Sequence, residues 1–409
     1  MTKPAYKWEL LGWLWLAFFF NQADRQLFNV ALPLIRADLH LSDAQVGIVA
    51  SLFILAIGVF IPVAGFVGDL YSRKRVIVAS LAFWSLATLL TGSSTTLLHL
   101  ILLRSLAVGG GEAFYAPSAN ALIGQFHIQT RALALSVHQS SLYAGLILSG
   151  ALGGYLAQQF GWRHAFYGFG GAGVLLAALI GWRLHPTPVL LSPLGRQPVG
   201  VLLQNALRML FGNPSALLLG LAFLCLVFVN VGYQTWTPTF LHEKFGLSIA
   251  DAGFSSMFYH HIAAFVGVMA GGVFSDRVAR RVPRYRLLVQ ASGLLLGFPA
   301  IWLMGQSATS GETYLWMAVS GLFRGVYEAN FYTTLFEVVV PHLRASVAGL
   351  VSMAAFIAGA IAPFLLGYLK PSLGLSDGLS WLCLPYLVGA MSVLLAYRYF
   401  FNRNRIANP

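Results

Sequence analysis

The chain has 409 residues, of which 58% are hydrophobic and 9% are charged, and its formal net charge is +12. A soluble globular protein carries about 25% charged residues. This composition therefore excludes a soluble enzyme, a nucleic-acid-binding domain and a disordered scaffold, because none of them could cover so much apolar surface.

Apolar runs recur along the whole chain, and each membrane span needs about 20 such residues. They predict twelve membrane-spanning helices, at 9–35, 44–68, 76–96, 99–125, 131–159, 163–184, 214–241, 250–275, 286–306, 312–340, 344–369 and 378–401. The runs are too long and too evenly apolar for barrel strands, whose residues alternate. We expect an all-α membrane protein, because a helix satisfies every backbone group within the bilayer.

The segment 185–213 is the longest interruption between spans and is rich in proline and glycine. It predicts a cytoplasmic linker between two six-helix bundles, at 1–184 and 214–409. Within it, residues 202–210 are predicted to form a short interfacial helix with Arg208 on its polar side.

Positively charged residues are distributed unevenly among the loops. Of the 25 lysine and arginine residues, 18 lie in one set of loops and in the two tails, and 4 lie in the alternate loops. Because cytoplasmic loops carry the excess of lysine and arginine, we expect both termini in the cytoplasm. The net positive charge then follows from topology and does not indicate nucleic acid. We expect a monomer in the plasma membrane, the inner membrane if the source is bacterial.

The two halves of the chain share motifs at matching positions. The second predicted helix leads into Gly65–Asp69 and the basic Arg73–Arg75, and the eighth leads into Gly272–Arg277 and then Arg280 and Arg281. Three pairs of like residues recur at spacings of 207, 216 and 213 residues: Asp69 with Asp276, Glu112 with Glu328, and Arg131 with Arg344. These spacings indicate a duplicated six-helix unit, and such repeats place a binding site near the bilayer midplane where the halves meet.

The repeated Gly-x-x-x-Asp loop with its basic cluster resembles the signature of the major facilitator superfamily, which implies a transporter of two pseudo-symmetric six-helix bundles. Finer features resemble its Spinster-like and anion:cation symporter branches: Asp24-Arg25, Arg104, Gly109–Ala113, Gly161–Arg163 and Trp236–Leu241. The segment Gly150–Gly154 lacks the proline of the family's antiporter motif, which weakens an antiporter interpretation.

Ionisable residues inside the spans are functional candidates, because a charge in the bilayer costs about 2.5–3.5 kcal/mol. Asp24 is predicted to exchange a proton, and Arg25 either to tune it or to bind an anion; alternatively the two pair within the bundle. Glu112 follows three glycines that permit close helix approach, and it is predicted to carry a proton or contact substrate. Arg104, two turns earlier, is expected in a different layer, as a substrate contact or as the partner of a loop acid.

Helix ten carries Arg324 and Glu328, which are four residues apart and can pair on one helix face. Glu328 is predicted to join in proton coupling and Arg324 in anion binding, with a structural pair as the alternative. The other substrate-binding candidates are polar or aromatic: Tyr115, Gln139, Tyr143, and a stripe at helical spacing formed by Asn230, Tyr233, Gln234 and Thr237. Interhelical hydrogen bonds are the alternative role for the stripe. The buried histidines His138, His260 and His261 are predicted to be hydrogen-bonded bundle residues.

Charged residues at the predicted cytoplasmic ends are expected to form a gate that closes that side: Asp69, Arg73, Lys74, Asp276, Arg277 and Arg281. An aspartate at a helix end can meet the dipole or an arginine of a neighbouring helix. Glu337 is expected to join this gate network. The alternative is that the cations only anchor the topology.

The sequence contains no phosphate-binding loop, no metalloprotease helix motif and no cysteine nucleophile with a base. We therefore expect neither an enzyme nor a cofactor or metal, and an ion gradient as the energy source. The predicted function is proton-coupled symport of a small organic anion, a carboxylate or sugar acid, by alternating access. The alternatives are a Spinster-like transporter of a lysolipid or other amphiphile, and a non-transporting membrane sensor of the same fold.

Overall fold

The computed structural model describes residues 4–185, 199–280 and 282–406. Within these ranges, the side chains of residues 4, 5, 65, 66, 68–70, 132 and 199 lie outside the described part. The described residues form helices and short connections, with no strand among them.

The first half contains six long helices. They are α1 Pro4–Asp38, α2 Asp43–Leu70, α3 Arg73–Thr91, α4 Leu97–Phe126, α5 Arg131–Phe160 and α6 Trp162–Arg183. Ser42 caps α2 reciprocally with Gln45, which satisfies two backbone donors at the start of that helix. A separate helix, Val199–Phe211, covers the predicted short helix at 202–210 and confirms that it is helical.

The second half also contains six long helices. They are α7 Pro214–Phe245, α8 Ile249–Ala279, α9 Tyr285–Gln306, α10 Ser310–Val338, α11 from Arg344 and α12 ending at Asn404. Gly374, with φ of 73°, separates α11 from α12, because only glycine adopts this left-handed conformation without strain.

Nine described segments are long and apolar enough to span a membrane. One of them, Pro341–Asn404, covers both α11 and α12. The helices α1 and α10 are not among the nine, and both carry ionisable residues in their middle, which lower their mean hydropathy. Because Pro341–Asn404 covers two helices, the nine segments contain ten helices, and α1 and α10 bring the number in the described chain to the twelve predicted. The all-α membrane fold is confirmed.

The chain divides into two compact units. The first comprises Met1–Ser192 with Leu241–Met257, and the second comprises Pro193–Phe240 with Phe258–Pro409. Helices α7 and α8 therefore contribute to both. In the first unit α1 packs on α5 and α3 packs on α6, around buried Trp84 and Tyr115; in the second α9 packs on α10 and α12, beside buried Tyr327.

Helix α4 changes its winding along its length. Residues Ile101–Val108 form a π-helical segment, Gly109–Glu112 return to α geometry, and a regular helix resumes at Tyr115. Segments of π-helix occur frequently at functional sites, because the extra residue per turn redirects the side chains that follow. Here Arg104 lies within the π-helical segment, and Glu112 ends the short α-helical stretch that follows it.

An ion pair connects α1 to the start of α6 in the first unit. Asp38, which lies beyond the predicted span 9–35, accepts hydrogen bonds from Arg163 and, at 3.2 Å, from the indole nitrogen of Trp162. The hydrogen bond from Arg163 holds the pKa of Asp38 below its ordinary value. The side chain of Asp38 is 45% exposed, so solvent screens this pair and its contribution to stability is small.

We expect Asp38→Asn to lower the free energy of unfolding at pH 7 by about 0.5 kcal/mol, the usual scale of an exposed ion pair. Because the folded-state pKa is depressed, this contribution is present above the unfolded pKa of about 4 and is lost as the pH falls through the folded value. Melting temperatures of wild type and variant in detergent check this. They should differ at pH 7 and converge as the pH falls below the folded-state pKa of Asp38, and a difference that persists in strong acid contradicts the assignment.

Candidate functional site

A buried ion pair connects α1 to α4 in the first unit. The Nε atom of Arg25 donates to Oε2 of Glu112 at 2.6 Å. The side chain of Glu112 is 0% exposed and that of Arg25 is 24% exposed. The carboxylate is thus fully enclosed, while its cationic partner keeps partial access to solvent or ligand.

Arg104 belongs to the same cluster. Its Nη2 donates to the backbone carbonyl of Arg25 at 3.3 Å, and its guanidinium lies over the ring of Phe53 at 4.0 Å and that of Phe28 at 5.3 Å. Arg104 and Glu112 thus contact different parts of Arg25, its backbone carbonyl and its side-chain Nε, and their predicted placement in different layers stays a prediction.

Asp24 completes a group of four ionisable residues. It is 2% exposed, and its Oδ2 accepts a hydrogen bond from Thr88 Oγ1 of α3 at 3.3 Å. Arg104 and Glu112 both lie close enough to act electrostatically on Asp24. Two acids and two arginines leave the cluster with no net charge when all four are ionised. Because the cluster is buried, adding or removing one charge there has a high free-energy cost.

The glycines before Glu112 bring its backbone close to the neighbouring helices. A Cβ atom at Gly109 would lie 2.8 Å from the carbonyl oxygen of Phe53 on α2, and one at Gly111 would lie 2.8 Å from the ring of Phe83 on α3. The predicted role of these glycines in close helix approach is confirmed. Glu112 follows these glycines directly, and its carboxylate contacts Arg25 of α1.

The remaining candidates of the first unit fall into two environments. Tyr115 is 0% exposed; its hydroxyl donates to the carbonyl of Leu14 at 2.5 Å and lies 3.0 Å from His138 Nε2. Gln139 is exposed and lines a cavity of about 470 Å³, and Tyr143 is half-buried. Tyr115 therefore connects three helices inside the unit, while Gln139 faces open space.

A second charged cluster lies in the second unit, on α10. Both Nε and Nη2 of Arg324 donate to Oε1 of Glu328, at 3.0 and 2.9 Å, so the pair predicted from the four-residue spacing is confirmed. Nη1 of Arg324 lies 3.1 Å from Nε2 of His260 on α8. The His260 ring stacks on Tyr233 of α7, with centroids 4.4 Å apart. Three helices thus meet at His260.

The polar stripe of α7 is connected by hydrogen bonds within that helix. Gln234 Nε2 donates to Asn230 Oδ1 at 3.4 Å, and both side chains are half-buried. Thr237 is 0% exposed and donates to the carbonyl of Tyr233 at 2.6 Å. Asn230 and Gln234 retain the access that a ligand contact requires, whereas the Thr237 hydroxyl is bonded within its own helix.

Two of the predicted gate residues of the second unit, Asp276 and Glu337, belong to an ionic network. Arg286 Nη2 donates to Asp276 at 2.8 Å, and Glu337 lies 3.7 Å from Arg286 and 3.4 Å from Arg405. Together with Arg280 they line a cavity of about 330 Å³. Arg286 was not predicted as a gate residue. Its position ten residues after Asp276, on the other side of the loop, could have indicated this pair. Arg277 is exposed.

The matching gate residues of the first unit are only partly described. Arg73 donates to the carbonyl of Ala121 at 3.3 Å and to Gln125 at 3.1 Å, which connects α3 to α4. Lys74 is half-buried. The side chain of Asp69 and residue 281, an arginine predicted to act in the gate, lie outside the described part.

An apolar cavity of about 530 Å³ opens on α2, α3 and α4 of the first unit. Aromatic rings line it together with Gly110, Gly111 and the exposed Arg75. Its size falls within the range of about 300–1,000 Å³ typical of small-molecule pockets. Among the described residues, no group of histidine, cysteine or acidic side chains could hold a metal ion.

Comparisons with known proteins agree with this architecture. A family model described as the Major Facilitator Superfamily matches residues 14–363. A "Hexuronate transporter" of Bacillus subtilis (strain 168) is 25% identical over 386 residues, which cover 91% of this chain and 90% of the relative. An "MFS-type efflux pump" of Mycolicibacterium smegmatis is 29% identical over 409 residues, which cover 97% and 92%.

A solved structure has the same fold. The crystal structure of a bacterial homolog to the human lysosomal transporter Spinster, in an inward-facing and occupied conformation, matches with a TM-score of 0.86 over 100% of both chains. Its sequence identity is 20%, so this likeness concerns the fold alone.

Proposed function

The chain belongs to the Major Facilitator Superfamily and is a membrane transporter, and we propose that it carries out proton-coupled symport of a small organic anion, a carboxylate or sugar acid. Membership of a transporter family leaves an enzyme or a non-transporting sensor without support. We further propose that both termini are cytoplasmic and that a bacterial host carries the protein in its inner membrane, as the loop charges indicate.

The buried Arg25–Glu112 pair carries this proposal. Glu112 is fully enclosed, so its negative charge is tolerated there because Arg25 lies against it. When Glu112 binds a proton, the guanidinium of Arg25 loses its anionic partner. The carboxylate of a substrate can then take that place, because arginine binds carboxylates through paired, charge-assisted hydrogen bonds.

This exchange of partners couples the two transported species. With Glu112 ionised, Arg25 is already neutralised and an anion gains little by binding. With Glu112 protonated, an anion restores the charge balance of the cluster. Proton and anion therefore favour each other's binding, which is the thermodynamic requirement for symport.

Asp24 and Arg104 also contribute to the net charge of this cluster. Arg104 is held by the Arg25 carbonyl and two aromatic rings, so it provides a fixed positive charge near both acids. Asp24 has one hydrogen-bond donor in Thr88 and is buried, so it is a second group that can hold a proton. We propose that Asp24 and Glu112 exchange protons together during each cycle.

A positive group in the second unit also suits a sugar acid. Arg324 is 8% exposed and is shared between Glu328 and His260, and the half-buried Asn230 and Gln234 lie on α7. Sugar acids combine a carboxylate with several hydroxyl groups, which match an arginine and side-chain amides respectively. The relative named a hexuronate transporter supports this substrate class.

The decisive experiment uses purified protein in liposomes that contain a trapped pH-sensitive dye. A panel of sugar acids and other carboxylates is added outside, with an imposed proton gradient. We expect one or more of them to move protons inward with the anion in wild type. Glu112→Gln and Asp24→Asn should abolish accumulation, since neither amide exchanges a proton, while exchange of anion for anion persists.

The matched control is Asp377→Asn, because Asp377 is an exposed carboxylate that binds the side chain of Gln306. This variant should accumulate anion as wild type does. If Glu112→Gln and Asp24→Asn both still accumulate anion, the proton assignment is wrong. If protons leave the liposomes as the solute enters, the protein is an antiporter, in the direction suggested by the relative named an efflux pump.

The apolar cavity on α2, α3 and α4 supports a second candidate, an amphiphile with an anionic head group. Its aromatic lining suits an acyl chain, and Arg75 in the lining suits a phosphate. Adding a lysophospholipid to the same liposome panel separates the two candidates. Transport of the lysophospholipid with no transport of any small carboxylate replaces the first proposal with the second.

A further inference from the structure

His260 is held by hydrogen bonds on both of its ring nitrogens. Nη1 of Arg324 approaches Nε2 at 3.1 Å, and a guanidinium nitrogen can only donate. On the other side, Ser320 Oγ lies 3.4 Å from Nδ1 and gives its own proton to the carbonyl of Met317 at 2.9 Å. Ser320 therefore accepts from His260.

These partners assign a single protonation state. Nε2 must present a lone pair to Arg324, and Nδ1 must carry the hydrogen that Ser320 accepts. His260 is therefore neutral, as the Nδ1–H tautomer. A proton on Nε2 would point at an arginine N–H across a 3.1 Å contact, which places two cations against each other.

We propose that His260 is a second proton-binding site of the transporter, controlled by the position of Arg324. This proposal rests on the proposed anion symport. While Arg324 donates to His260, the imidazole cannot accept a proton at Nε2. When an oxygen of the transported anion draws the guanidinium away, Nε2 is released and binds a proton. Anion and proton then bind together at this site.

The charged and titratable groups around His260 agree with this switch. Its own helix contributes His261, α10 contributes Arg324 and Glu328, α7 contributes Tyr233, and Tyr386 of α12 lies near Arg324. Glu328 is the only acid in this group, and Arg324 holds it with two hydrogen bonds. When Arg324 moves to a substrate, Glu328 loses its partner and its negative charge stabilises a protonated His260.

Nitrogen NMR of histidine-labelled protein in nanodiscs tests the proposal without any substrate. The signal of His260 is identified by its loss in His260→Gln. In wild type we expect the neutral Nδ1–H tautomer from pH 8 to pH 5. In Arg324→Gln, where Glu328 remains, we expect the Nε2 signal to shift to that of a protonated ring within the same range.

Two observations would overturn the proposal. One is the Nε2–H tautomer in wild type, and this measurement does not depend on whether any variant folds. The other is a His260 signal in Arg324→Gln that does not change with pH. Arg324→Gln/Glu328→Gln is the second variant: it also frees Nε2, and without the carboxylate its shift should occur at lower pH.

Transport measurements then distinguish a failure of the His260 proposal from a failure of the proposed symport. Under the symport proposal, His260→Gln should carry one proton fewer per anion than wild type, whereas Glu112→Gln loses accumulation altogether. The matched control is His261→Gln, which replaces the adjacent buried histidine on another side of α8. An unchanged proton-to-anion ratio in His260→Gln contradicts the inference and leaves the role of Glu112 intact.

Discussion

Replacing Arg25 with glutamine is expected to destabilise the protein by about 3–5 kcal/mol, the cost of breaking a buried ion pair from one side. The reason is the environment of Glu112, whose side chain is 0% exposed and whose Oε2 binds Arg25 at 2.6 Å. Without Arg25 the carboxylate must either stay charged and poorly compensated or take up a proton. Thermal unfolding of the detergent-solubilised variant at pH 7 measures the loss.

A double-mutant cycle isolates the interaction. Arg25→Gln/Glu112→Gln removes both charges, so we expect most of the lost stability to return while accumulation remains absent. The matched control is Arg183→Gln, which breaks a 2.9 Å pair with Glu9 whose side chains are 54% and 37% exposed. That variant should lose less than about 1 kcal/mol. Equal losses for Arg25→Gln and Arg183→Gln would show that the buried pair contributes no more to stability than the exposed pair does.

The number and approximate bounds of the helices could be predicted because apolar length is a strong signal in a membrane protein. The last two helices illustrate this, since the gap between the predicted spans 344–369 and 378–401 contains Gly374, the residue that separates α11 from α12. The π-helical segment Ile101–Val108 could not be predicted, because apolar periodicity does not separate it from α-helix.

The ionisable members of both clusters could be identified because each interrupts an apolar run. Their partners were harder to predict, since partner choice depends on packing between helices that are distant in sequence. Arg324 and Glu328 lie on one helix, and their spacing predicted the pair. Arg25 instead pairs with Glu112, 87 residues away, and no local pattern indicates this. The bond between His260 and Arg324, 64 residues apart, was missed likewise.

Four glycines bring α8 and α10 into close contact, and this contact supports the bond between His260 and Arg324. Gly267 and Gly271 lie four residues apart on α8, and Gly321 and Gly325 do so on α10. A Cβ atom at Gly321 would overlap the carbonyl oxygen of His260 itself. Small residues at this spacing let membrane helices approach backbone to backbone.

We expect Gly321→Val to destabilise the protein by about 3 kcal/mol, at the upper end of the cost of overpacking, because backbone atoms on α8 cannot move aside as a flexible side chain could. The variant should also lose the hydrogen bond from Arg324 to His260. Unfolding in detergent measures the first effect, and the histidine nitrogen signal measures the second in whatever protein remains folded.

The control for this change is Gly349→Val, because Gly349 is also helical but a Cβ there would meet nothing within 4 Å. Valine has a slightly higher helix propensity than glycine, so this variant should keep its stability within about 0.5 kcal/mol. If Gly321→Val were as stable as Gly349→Val, α8 and α10 would not require backbone contact. The distance between Arg324 Nη1 and His260 Nε2 would then depend on the Arg324 side chain alone, and not on the close approach of the two helices.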